Sequence, residues 1–220
     1  MYEITLIATA HKERGICNSN ELYKIIEQIS PEIIFEELTS DKFTTIYEGS
    51  HTGNLETNTI KRYLQKHPIA HFPVGLAVNE LIDVRRFKND VDKMTSVFNQ
   101  FNEYQDLYNQ HEIWSQLLGF PYLNSNRCGE LFERLHALEA DIVKMKNREK
   151  LSQMFKDWLD IQDRRENEII KNIYNYSDQN KYNKALILVG AAHRKPIIDK
   201  LPTFEKKNKL ALNWNLNYFD

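Results

Sequence analysis

Residues 2–36, YEITLIATAHKERGICNSNELYKIIEQISPEIIFE, carry the pattern on which the fold turns. Tyr2–Ala8 is short, apolar and β-branched, as a buried strand should be. Asn18 or Ser19 can cap a helix whose apolar positions Leu22, Ile25, Ile26 and Ile29 follow helical spacing, and Ser30-Pro31 ends it. Ile33–Glu36 is a second buried run. Strand, helix and strand in so short a stretch predict a βαβ unit, which requires parallel pairing and a right-handed crossover.

Working outward, Asn54–Lys66 reads as a helix and Ile69–Gly75 as a weaker strand, with Pro73 suited to an edge or a strand end. From about Asn79 to Tyr176 the pattern is helical. Val91, Met94, Phe98, Phe101 and Tyr108 share one stripe, and Leu131, Leu135, Leu138, Ile142 and Met145 share another. Phe120-Pro121-Tyr122 interrupts the first of these helices. Ala185–Val189, ALILV, is a continuous apolar run of the kind a sheet covered on both faces requires. Gly190 follows it, Pro196 opens a short helix, and Lys209–Trp214 reads as a last strand. The expectation is one α/β domain over residues 1–220, with a mostly parallel central sheet formed by both chain ends and a helical subdomain inserted at 79–178.

The chain has 220 residues, 41% of them hydrophobic and 11% aromatic, which is the composition of a folded protein rather than a disordered one. A net charge of −2 gives no electrostatic reason to expect nucleic acid or an anionic membrane as partner. The apolar stretch in MYEITLIATAHKERG is too short for a signal peptide or a membrane span. Cys17 and Cys128 make neither a disulfide framework nor a CxxC pair. A cytoplasmic protein with free thiols is expected. There is no P-loop, GxGxxG, GxSxG or HExxH, so the nucleotide, serine-hydrolase and zincin classes lack their motifs.

Both long apolar runs end in small residues and a histidine: Ala8-Thr9-Ala10-His11 after the first, Gly190-Ala191-Ala192-His193 after the late one. Open α/β sheets bind ligands at the carboxyl ends of their strands, where an imidazole can act as base, acid or metal ligand. Glu36 and Glu37 end the second strand, and a carboxylate there needs a partner to offset its desolvation. At about 100° per residue, Leu151, Met154, Phe155, Trp158, Ile161, Ile169 and Ile173 fall on one arc of a helix. Arg165 lies inside that arc and Arg164 at its margin. A guanidinium on an apolar face is met by a carboxylate, by a bound anion or by snorkelling to water.

The pair ATAH and GAAH resembles the two GxxH motifs of the TraB/Tiki superfamily, whose relatives include erythromycin-esterase-like and haem-binding ChaN-like proteins. IIFEEL (Ile33–Leu38) is similar to that superfamily's glutamate motif and favours Glu37. RRENEII (Arg164–Ile170) is similar to its arginine motif. The first motif has Ala8 where the family carries glycine, and the arginine motif leaves Arg164 open beside Arg165. The resemblance implies hydrolysis of an ester or amide bond in a small molecule or peptide, in a pocket of His11, Glu37, Arg165 and His193. In one version His11, Glu37 and His193 hold a divalent metal that activates water. In the metal-free version His11 is the general base, oriented by Glu37, with His193 as acid. Two other classes are non-catalytic: a haem-type ligand site using His67, His71 or Tyr63, and an interaction protein or homodimer built on the amphipathic helices. The loop His51-Thr52-Gly53-Asn54 is positioned to overhang the pocket.

Overall fold

Five strands, β1 (Tyr2–Thr9), β2 (Ile33–Glu36), β3 (Ala70–Pro73), β4 (Lys184–Gly190) and β5 (Leu212–Asn215), pair in parallel in the order β3-β2-β4-β1-β5. The structure is a computed structural model that describes residues 2–49, 53–77 and 83–219. The sheet is formed by both chain ends, as the apolar runs predict. β4 enters between β1 and β2, so the register sets Thr9 beside Gly190 and Glu36 beside Leu188. The carboxyl ends of three strands from distant parts of the sequence thereby share one rim.

The helices are α1 (Ser19–Ile29), α2 (Ser40–Tyr47), α3 (Leu55–Leu64), α4 (Val84–Phe98), α5 (Asn102–Leu123), α6 (Asn126–Lys146), α7 (Glu149–Gln179) and α8 (Ala191–Lys207). Asn18 caps α1 by accepting from the backbone N–H groups of Asn20 and Glu21, and Ser30 closes it in the left-handed conformation. Strand side chains alternate between faces. Ile34, Leu186 and Leu188 pack with α1 and α3 residues such as Ile26 and Ile60. Ile33, Phe35, Ile187 and Val189 pack with Ile169, Ile173 and Ile197 of α7 and α8. Each such fully buried aliphatic side chain contributes roughly 1.5–3 kcal/mol. A third cluster, with Met94, Phe98, Leu131, Leu135 and Phe155, binds the helices between β3 and β4 to one another.

Several elements differ from the sequence expectation. β3 is an edge strand, consistent with Pro73. α2 has no apolar stripe to announce it and buries none of its residues. The first helical stripe loses its continuity because α4 ends at Phe98, and Tyr108 on α5 faces solvent, as does Met145 at the end of the second stripe. The interruption near Pro121 is a kink at Gly119, whose φ of 60° is left-handed and whose hydrogen faces Ile16, and α5 continues past it to Leu123. α8 begins immediately after β4 instead of opening at Pro196, so His193 stands in its first turn. Asn79, His51 and Thr52 lie outside the described residues. Among the described residues no helix is long and apolar enough to cross a membrane.

Candidate active site

Among the described residues, β1 has no strand neighbour on its β5 side beyond Thr5. Asn124 takes that place, accepting the Ala8 N–H at 2.8 Å and donating to the Ala8 carbonyl at 3.2 Å. The chain then leaves the sheet through His11, whose φ of 57° is left-handed and uncommon for a residue with a side chain. The His11 carbonyl accepts the Leu55 N–H at 3.2 Å, tying the end of β1 to the start of α3, which Asn54 caps. This join sets Glu56 against His11. His11 Nδ1 lies 2.9 Å from Glu56 Oε1, which also accepts the Thr9 hydroxyl. A carboxylate can only accept, so it fixes the proton on Nδ1 and leaves Nε2 with the lone pair. Nε2 stands over Gly190, where an added Cβ would come within 2.5 Å of it.

Glu37, the residue after β2, is buried and fully engaged. Its Oε1 accepts from Arg165 Nη2 at 2.5 Å and lies 3.4 Å from His193 Nε2, while Oε2 accepts the Gly190 N–H at 2.8 Å. Arg165 reaches it from the apolar side of α7 and also donates to Gln162 at 3.1 Å. His193 Nδ1 lies 3.0 Å from Glu166 Oε1, and Lys200 holds the other oxygen of Glu166 at 2.6 Å. His11, Glu37, Arg165 and His193 are thus neighbours around the end of β4.

The two alternatives left open by the sequence separate cleanly. Glu36 shares the face of Ile34, away from α7. It accepts from the Tyr47 hydroxyl at 2.6 Å and lies 2.8 Å from His71 Nδ1. Arg164 pairs with Asp160 on the exposed side of α7 at 2.9 Å. The residues considered for haem are dispersed: Tyr63 is buried with His67 stacked on it, and His71 belongs to Glu36 and packs against Phe43 and Tyr47.

Two carboxylates escaped the sequence reading, Glu56 and Glu166. The carboxylate that orients His11 is Glu56, not Glu37. The hydrogen bond that His11 donates to Glu56 raises the His11 pKa above its ordinary value, against the opposing effect of burial. Burial pushes the Glu56 carboxyl upward, yet its bonds to His11 and Thr9 outweigh this and lower it. The Cys17 thiol is pushed up to about 11 by burial, which makes it a structural rather than a reactive sulfur.

The metal version requires three free donors. Glu37 already has a guanidinium on one oxygen and a backbone N–H on the other, and both ring nitrogens of His193 face carboxylates. Among the described residues no group of three or more His, Cys, Asp or Glu side chains is arranged to hold a metal ion. The residues as placed do not fit the metal.

His11, Glu36, Glu37, Asn54, Glu56 and Thr57 line a cavity of about 20 Å³, room for roughly one water. Glu56 Oε2 is buried and has no hydrogen-bond partner among the described residues. No family model matches the chain, and neither the curated proteins nor the solved structures contain a match.

Proposed function

We propose that the chain hydrolyses ester or amide bonds without a metal, using His11 as general base. The observation that carries this reading is the water-sized cavity lined by His11, whose ring is held at Nδ1 by Glu56 and keeps its lone pair on Nε2. The ordered motifs that resemble the TraB/Tiki superfamily support the same reaction class.

A water in that cavity presents a proton to His11 Nε2, while Glu56 holds the ring from its Nδ1 side. Its oxygen attacks the substrate carbonyl carbon and His11 takes the proton. The resulting oxyanion faces the Arg165 guanidinium, which supplies positive charge and N–H donors where negative charge develops. Collapse of the tetrahedral species breaks the bond to the leaving oxygen or nitrogen. The His11 imidazolium returns its proton to that atom, so a carboxylic acid and an alcohol or amine leave and the ring is restored. Glu56 keeps His11 in one tautomer throughout. Glu166, itself neutralised by Lys200, does the same for His193.

The test is hydrolysis of p-nitrophenyl esters in the presence of a chelator. Wild type should turn over unaffected by chelation, and His11→Gln should lose about 10²–10⁴-fold in kcat/KM. Full activity in His11→Gln, or loss of wild-type activity on chelation, would contradict the reading.

A further inference from the structure

On the far side of the Glu37–Arg165 pair, α7 and α8 enclose a groove of about 340 Å³ that ends against α6. It shares Arg165 and His193 with the site described above. Its size is that of a small-ligand pocket, and its walls divide into an apolar part and a charged part. Trp158, Leu159, Ala192 and Pro196 form the apolar part. Leu159 is 43% exposed there. Trp158 stacks on Phe155, with ring centroids 6.0 Å apart, and lies 5.4 Å from the His136 ring.

The charged groups of the wall are paired among themselves. Arg165 is bound to Glu37, and Lys200 bridges Glu166 at 2.6 Å and Asp163 at 3.3 Å. His136 lies 2.9 Å from Glu139, and His193 stands between two carboxylates. A charged ligand group entering here would have to break one of these pairs or be desolvated without a partner of its own. A neutral apolar group meets no such cost and covers Trp158 and Leu159. We infer that this groove is a specificity pocket for an uncharged aromatic or short alkyl group of the substrate, carried next to the bond that is cut. The inference rests on the hydrolase reading for the identity of the ligand as a substrate, but the selectivity of the groove is measurable without turnover.

The experiment follows the indole N–H resonance of Trp158 by NMR, identified by its absence in Trp158→Phe, during titration with the N-acetyl amides of phenylalanine, leucine, glutamate and lysine. The phenylalanine and leucine compounds should move it saturably, and the glutamate and lysine compounds should bind at least tenfold more weakly. Leu159→Glu, at an exposed position that folding tolerates, should weaken the phenylalanine compound at least tenfold with unchanged thermal unfolding. Equal binding of all four, or an unmoved indole, or an unaffected Leu159→Glu, overturns the pocket. The methyl esters of the same four acids separate the two ideas. Apolar binding without hydrolysis of any ester leaves the pocket standing and removes the hydrolase. Hydrolysis with no preference for the apolar esters leaves the hydrolase standing and removes the pocket.

Discussion

His11 and His193 close two adjacent strands behind nearly identical small residues, but their surroundings differ in every respect that governs proton chemistry. The His11 side chain is 50% exposed, sits in a left-handed backbone and has one carboxylate on Nδ1. The His193 side chain is 11% exposed, sits in a helix and has carboxylates facing both nitrogens, one of them neutralised by a lysine. The first arrangement leaves one nitrogen free to accept a proton from a small ligand. The second holds a ring in place and keeps it beside charge. Equivalent sequence motifs therefore support unequal roles, and the difference comes from the helices that pack against each strand end.

Removing Arg165 should have the largest effect, because it strips the cation from the Glu37 carboxylate on which the His193 side is built. Arg165→Met should cost about 2–3 kcal/mol in denaturant unfolding, less than the typical loss for a fully buried pair because Arg165 reaches solvent. Gly190→Ala tests the His11 side. Its backbone, at φ −61° and ψ 143°, accepts a side chain, and the three atoms nearest to the new Cβ all belong to the His11 ring. Stability should change by less than about 1 kcal/mol, while kcat falls by about 10²-fold as the ring is pushed out of line. Arg164→Ala, on the exposed side of the same helix as Arg165, should change neither activity nor stability by more than about 0.5 kcal/mol. A large effect there would erase the distinction between the two arginines.

Much of this frame was legible in the sequence because it rests on apolar periodicity. The first strand–helix–strand succession, the late buried strand and the arc of α7 that turns Arg165 inward all follow from where Ile, Leu and Val recur. The pairing expected between β1 and β2, however, is replaced by the entry of β4 between them. The choice between Glu36 and Glu37 was not legible. It depends on strand parity: Glu37 shares the face of Phe35, and only the packing of α7 on that face assigns Arg165 to it. Glu56 could not be found for a similar reason. A glutamate in the first turn of a helix ordinarily serves the helix dipole, and nothing local reveals that the Leu55 N–H would dock on the His11 carbonyl. Glu166 stood next to Arg165 within a motif already singled out. Its role waited on α8 starting directly at Ala191, which turns His193 and Lys200 toward it.

The His11–Glu56 pair is the center of the account, and both its shifts have consequences for pH. The raised His11 contributes stability that is present below its ordinary value of 6.5 and is lost as pH rises through the folded value. The lowered Glu56 contributes above its ordinary 4.5 and loses this as pH falls through its folded value. The stability gap between wild type and Glu56→Gln should therefore be widest between those two ordinary values. The most direct measurement is an NMR titration of the His11 ring in wild type and in Glu56→Gln. The account predicts a wild-type midpoint above that of an unperturbed histidine, with the proton of the neutral ring on Nδ1, and a lower midpoint in the variant. A ring that titrates at or below the ordinary value, and does so equally in both proteins, would contradict it.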